Sequence, residues 1–98
     1  MTLPAKLKVA ALQLPPCTTD LARNEAAAFN AVRAAAAAGA RLIALPELSM
    51  VPYFASAPGG QYSDWAEAAD GPLAMRCAAL AREAGIVLFV PAYERDPA

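Results

Sequence analysis

A chain of 98 residues forms at most one domain, and hydrophobic residues make up 58% of it, which is typical of a globular protein rather than a disordered one. The formal net charge is −1, with eight basic and nine acidic residues, so neither nucleic acid nor an anionic membrane is an expected partner. Histidine is absent and the two cysteines, Cys17 and Cys77, are far apart, which argues against a zinc site and against Ser-His or Cys-His catalysis within these residues.

The N-terminal stretch "MTLPAKLKV" has no apolar core of signal-peptide length. No apolar run approaches the roughly 18–20 residues that a membrane span needs. We therefore expect a soluble chain in a reducing, cytoplasmic setting, with both thiols free.

The first predicted strand is "LKVAALQL" (7–14), which ends at two prolines that cannot continue a β-ladder. Good N-cap residues follow at 18–20, ahead of an alanine-rich helix over 21–38. One face of this helix carries its larger apolar residues, namely Leu21, Ala28, Phe29, Val32, Ala35 and Ala36. Gly39 stands where a C′ glycine would end the helix.

A second strand, "RLIAL" (41–45), leads into a long segment, 46–71, that is rich in proline and glycine and contains a short predicted helix around "YSDWAEAA". Pro72 suits the first position of a second long helix. Its apolar stripe consists of Leu73, Cys77, Leu80, Ala81 and Ala84. Gly85 ends this helix, and "IVLFVPAYE" is the third predicted strand.

The element order strand–helix–strand–helix–strand predicts an α/β fold with parallel strands joined by right-handed crossovers. A weak internal repeat supports this order, because "AAAGARLIALPE" and "REAGIVLFVPAYE" share a helix end, a glycine, an apolar strand, a proline and a glutamate. The second and third strands are apolar throughout, which is typical of a sheet that is covered on both faces.

Functional sites in open α/β sheets lie outside the carboxyl ends of the strands. Cys17 follows the first predicted strand, Glu47 follows the second, and Glu94 lies at the end of the third. Glu47 is the best candidate, because it follows the stiff Pro46 and opens the longest loop. Desolvation at the rim of an apolar sheet would raise its pKa and suit it to act as a general base. The alternative is a solvated loop carboxylate, or one paired with an arginine.

The remaining candidates each have an ordinary structural interpretation. Tyr53 and Phe54 either line a substrate pocket or cap the core, whereas Trp65 is expected to anchor the loop. Glu94 is a further pocket candidate, and it could equally form a surface pair with Arg95.

The two thiols are weaker candidates. Cys17 is interpreted as a small buried residue, because no histidine is present to activate it as a nucleophile. Cys77 lies on the apolar helix stripe and is expected in the core.

Four stretches occur in a distinctive order: "KVAALQL", "GARLIALPEL", "PYF" and "GIVLFVPAYER". Together they cover nearly the whole chain and resemble the N-terminal part of the carbon–nitrogen hydrolase, or nitrilase, superfamily. The pattern is most similar to N-carbamoyl-type amidases, with true nitrilases and aliphatic amidases as alternatives. This resemblance implies an α-β-β-α sandwich, of which the three-strand βαβαβ unit is the N-terminal part. It also implies assembly into homo-oligomers and catalysis without a metal or cofactor.

The family resemblance implies a catalytic glutamate, lysine and cysteine, in that chain order, acting on a small-molecule amide or N-carbamoyl substrate. It places the glutamate at Glu47, which would deprotonate the cysteine and then activate water, while the lysine would stabilise the oxyanion. This chain order is not met within the 98 residues. Both lysines, Lys6 and Lys8, and one cysteine, Cys17, precede Glu47, and no lysine lies between Glu47 and Cys77. Both partners are therefore expected beyond position 98, so that 1–98 is part of a domain truncated on its C-terminal side and inactive alone.

Two non-enzymatic interpretations compete with this one. The chain could be a structural or oligomerisation module that keeps half of the fold and associates through its open sheet. A small-molecule-binding α/β domain is the weaker alternative, because no glycine-rich phosphate loop follows any predicted strand.

Overall fold

The computed structural model describes residues 6–54 and 62–95; the part of the predicted loop that falls in 55–61 lies outside the described residues. Five main elements follow one another, namely β1 (Val9–Ala11), α1 (Leu21–Ala37), β2 (Leu42–Ala44), α2 (Pro72–Ala84) and β3 (Val87–Phe89). A single turn of 3₁₀-helix, Ser63–Trp65, lies where the short helix was predicted. The predicted βαβαβ order is confirmed.

The three strands form one parallel sheet, as the sequence predicted, and their order in it is β1-β2-β3. Ile43 lies at its centre, opposite Ala10 on one side and Leu88 on the other. Each strand has only three paired residues, so the three strands were predicted too long, at 7–14, 41–45 and 86–94. The apolar runs extend beyond the residues that pair in the sheet, and the sequence pattern does not show where the pairing ends.

Both long helices begin and end at the predicted signals. The Asp20 carboxylate caps α1 by accepting a hydrogen bond from the Arg23 amide at 3.1 Å. Pro72 opens α2, and Gly85 ends it with a positive φ of 67°, the left-handed conformation that glycine adopts without a steric penalty.

The core lies between the sheet and the two helices, which pack on the same face of the sheet and touch each other. Its buried apolar members are Ala28, Phe29, Val32, Ala40, Ile43, Leu45, Met50, Cys77 and Leu80. The predicted apolar faces of both helices supply most of this set, so those predictions are confirmed. An ion pair between Glu25 and Arg76, 2.7 Å apart, joins the outer edges of the helices.

The opposite face of the sheet is open. Its large apolar side chains are exposed, and they are Leu7, Val9, Leu42, Val87 and Phe89. They alternate along the strands with the core-facing residues, as a β-strand requires. Strands two and three have the apolar pattern that is typical of a sheet covered on both faces, but among the described residues no element packs on the second face. No helix within the described ranges is long and apolar enough to cross a membrane.

Candidate active site

Glu47 lies just beyond the carboxyl end of the central strand β2, on a tight turn formed by residues 47–50, here named the Glu47 turn. Leu48, the next residue, has a positive φ of 50°. A leucine in this conformation costs about 1–2 kcal/mol, so the surrounding structure must hold the turn in place. The Glu47 side chain is exposed, and the described residues therefore do not provide the desolvation that the sequence led us to expect.

Two side chains from the preceding part of the chain contact the carbonyl groups of the Glu47 turn. The buried Asn24 of α1 donates a hydrogen bond from Nδ2 to the Met50 carbonyl oxygen at 3.3 Å. The Cys17 thiol donates to the Ser49 carbonyl oxygen at 2.9 Å. The loop after β1 and the start of α1 therefore brace the turn that carries Glu47.

Cys17, Glu47 and Tyr53 line one cavity of about 400 Å³ at this end of the sheet. Burial raises the pKa of the Cys17 thiol, and its proton is engaged with a backbone carbonyl. A thiol in that setting is protonated at neutral pH and is a poor nucleophile. Tyr53 is 54% exposed, at the mouth of the site. The structure brings Cys17 close to Glu47, but it does not activate Cys17.

Glu94 lies elsewhere, in a second cavity of about 530 Å³ beside α2 and the segment after β3. Trp65, Glu67 and Tyr93 also line this cavity, whereas Glu47 does not. The main chain of Glu94 forms an isolated parallel bridge with Glu67. Among the described residues, the two candidate carboxylates after strands two and three therefore belong to different cavities.

Phe54 takes part in an aromatic cluster. Its ring packs 5.2 Å from Tyr62 and 4.8 Å from Tyr93, measured between ring centroids, and Tyr62 stacks at 5.2 Å on Trp65. These contacts join the segment after the Glu47 turn to the 3₁₀-helix and to the end of the chain. The Phe54 ring therefore packs in an aromatic cluster that is separate from the core, and Trp65 belongs to the same cluster.

The lysines lie at the other end of the sheet. Lys8 precedes β1 and donates from Nζ to the Ala38 carbonyl oxygen at 2.8 Å, beside the end of α1. Lys6 lies two residues earlier and is exposed. Cys77 is buried in the core. Within residues 6–54 and 62–95, neither a lysine nor a second cysteine approaches Glu47, and no group of three or more His, Cys, Asp or Glu side chains could hold a metal ion.

Two polar residues that were not candidates from the sequence, Asn24 and Glu67, form hydrogen bonds from buried or half-buried positions. Asn24 carried a signal, because it lies one helical turn before Ala28 on the apolar face of α1, where a polar side chain is unexpected. Glu67 is half-buried, and its Oε1 accepts from the Leu73 amide at 3.0 Å. Arg95 was considered as the partner of Glu94 in a surface pair. Its Nη2 instead donates a hydrogen bond to the Ala66 carbonyl oxygen at 2.8 Å.

A comparison with protein families matches residues 8–98 to the family described as carbon-nitrogen hydrolase. The matched range contains every strand and helix of the fold, together with the Glu47 turn. A search among curated proteins gives no match.

Proposed function

This chain belongs to the carbon–nitrogen hydrolase family, and we propose that Glu47 is the general base with which the protein hydrolyses a non-peptide C–N bond through a cysteine acyl-enzyme. The observation that carries the proposal is the position of Glu47. It lies at the carboxyl end of the central strand, on a braced turn, and lines a cavity that is open to a small molecule.

The proposed reaction has two stages. Glu47 first takes the proton of the nucleophilic thiol, and the thiolate attacks the carbonyl carbon of the substrate while a lysine stabilises the oxyanion. The C–N bond breaks, the amine leaves with a proton from Glu47, and an acyl-enzyme remains. Glu47 then deprotonates water, which attacks the thioester. The C–S bond breaks, the acid is released, and Glu47 returns the proton to the cysteine sulfur.

The lysine and the nucleophilic cysteine have no candidates beside Glu47 in the described structure. Lys8 lies at the far end of the sheet, Cys77 is in the core, and Cys17 holds its proton. We therefore assign both partners to a part of the protein outside these 98 residues, and we expect this chain alone to be inactive.

We propose a small-molecule amide or N-carbamoyl compound as the substrate, with a nitrile as the alternative. Hydrolysis of an N-carbamoyl compound releases an amine, carbon dioxide and ammonia. Hydrolysis of an amide releases a carboxylic acid and an amine or ammonia, and hydrolysis of a nitrile releases a carboxylic acid and ammonia. Incubation of the complete protein with one representative of each class, followed by product analysis, selects among them.

Substitution of Glu47 in the complete protein tests its role. We expect Glu47→Gln to lower kcat by at least about 100-fold, because general base catalysis typically contributes factors of 10²–10⁴. Glu83→Gln, on an exposed part of α2, is the matched control and should keep wild-type kcat. Wild-type activity in a folded Glu47→Gln protein would contradict the proposal.

A second candidate function is a non-catalytic association module. The open apolar face of the sheet favours it, because large side chains such as Phe89 are exposed there. Sedimentation of this chain, with and without Glu47→Ala, separates the candidates. The association module would be favoured by a stable oligomer that forms equally well with Glu47→Ala, if neither this chain nor the longer protein has amidase activity.

A further inference from the structure

Asn24 is a buried side chain whose hydrogen-bonding capacity is completely used. Its Oδ1 accepts from the backbone amide and the hydroxyl of Thr18, at 2.8 and 3.0 Å. Its Nδ2 donates to the carbonyl oxygens of Thr18 and Met50, at 2.6 and 3.3 Å. Exchanging the amide nitrogen and oxygen would set donors against donors and acceptors against acceptors, so the network fixes the orientation of the amide.

These bonds connect three separate parts of the fold. Asn24 belongs to α1, whose residues Phe29 and Val32 anchor the helix in the core. Thr18 belongs to the loop after β1, and Met50 is the last residue of the Glu47 turn. The buried amide is thus a direct link between a rigid helix and the turn that carries Glu47.

The Glu47 turn needs such a link. Leu48 holds a left-handed backbone conformation that its own side chain disfavours. No described side chain forms a hydrogen bond to the exposed Glu47 carboxylate, so the position of that carboxylate depends on the backbone beneath it. Besides Asn24, the Cys17 thiol is the other described side chain that donates to a carbonyl of this turn.

We propose that Asn24 is a positioning residue for the proposed general base, acting through its hydrogen bond to the Met50 carbonyl. Without that bond, the strained turn relaxes and the Glu47 carboxylate moves away from the thiol and the water that it must deprotonate. The inference rests on the proposed function of Glu47. A displacement of about 1 Å at a reacting group can reduce a rate by about 100-fold.

The test uses Asn24→Asp in the complete protein. Aspartate has the same shape and keeps the acceptor for Thr18, but as a carboxylate it cannot donate to Met50. We expect kcat, counted per folded molecule, to fall by about 10–100-fold, while KM changes by less than about threefold. Asn24→Ala is the second variant, and Asn30→Ala, an exposed asparagine on the same helix, is the control and should retain wild-type kcat.

Hydrogen exchange supplies a local readout. Both Asn24 variants should accelerate exchange in a peptide that covers residues 46–52, whereas Asn30→Ala should not. Counting kcat per folded molecule, with the folded fraction measured by circular dichroism, removes unfolded molecules from the measurement, so a loss of folded protein alone would leave kcat unchanged. That result, in either Asn24 variant, would overturn the inference.

Glu47→Gln is measured alongside the Asn24 variants. An inactive Glu47→Gln protein combined with wild-type kcat in Asn24→Asp would overturn only the positioning role. An active Glu47→Gln protein would overturn the proposed function and, with it, the positioning role. A large loss of kcat in Glu47→Gln, with a smaller loss of kcat in both Asn24 variants, supports both the role of Glu47 as the base and the positioning role of Asn24.

Discussion

Cys77 illustrates how a single buried group connects packing to solution conditions. The residue is 7% exposed, and burial raises the pKa of its thiol above the ordinary value of 9.0. The unfolded chain releases this proton near pH 9.0, whereas the folded chain still holds it. Above that pH the unfolded state binds fewer protons, so the free energy of unfolding falls as the pH rises.

Urea denaturation from about pH 8 to about pH 10 measures this effect. The free energy of unfolding of the wild-type chain should decrease across the range more steeply than that of Cys77→Ala. The variant has its own cavity cost, but that cost does not depend on pH. Parallel pH profiles for the two proteins would show that the buried thiol does not couple to folding.

The residues of the candidate site differ in how far the sequence could predict their positions. The position of Glu47 was predictable, because a proline and a carboxylate directly after an apolar strand are local features with a known place in a parallel sheet. The network of Asn24 was not, since it joins residues 18, 24 and 50, which only the folded chain brings together. The left-handed conformation of Leu48 was equally hidden, because leucine gives no signal for it.

At the scale of elements, the N-terminus of α2 depends on a distant carboxylate. Its N-cap residue, Gly71, has no side chain to accept a hydrogen bond, and the Glu67 carboxylate accepts from the Leu73 amide instead. A negative charge also interacts favourably with this end of the helix dipole. Glu67 thus replaces the missing cap from four residues before Gly71.

We expect Glu67→Ala to lower the free energy of unfolding by about 1 kcal/mol, the usual cost of losing an N-cap. Glu67→Gln keeps an acceptor and should lose less, since only the charge interaction is removed. Urea denaturation followed by circular dichroism checks both values. Glu83→Ala, at an exposed position of the same helix, should stay within about 0.5 kcal/mol of the wild type; an equal loss there would argue against the cap.

Helix boundaries were predicted well and strand boundaries poorly, for a physical reason. Helix ends are marked by local signals, here Asp20, Pro72 and Gly85, that satisfy or exclude backbone groups within one turn. A strand ends where its neighbour stops pairing with it, and that depends on residues far away in the sequence. The apolar runs around β1 and β3 therefore extend beyond the three residues that each strand pairs.

For the whole molecule, the open face of the sheet is the dominant feature. Val87 and Phe89 are 64% and 62% exposed, while Leu88 between them packs against the core. Strands this apolar on both faces are typical of sheets covered on both sides. A chain with one side uncovered should bind a hydrophobic dye such as ANS and should self-associate as its concentration rises.

The double substitution Val87→Thr with Phe89→Thr tests the open face directly. Threonine keeps a high strand propensity, so the sheet should remain intact while ANS fluorescence and self-association decrease. Leu88→Ala is the matched control on the core face, and it should cost about 2 kcal/mol and leave dye binding to the folded chain unchanged. In the longer protein proposed above, we expect the double substitution to lower the free energy of unfolding, because a second layer over this face would make Val87 and Phe89 core residues. A double variant as stable as the wild type in the complete protein would mean that the face stays open there too, and would remove the reason for assigning a second sheet to it.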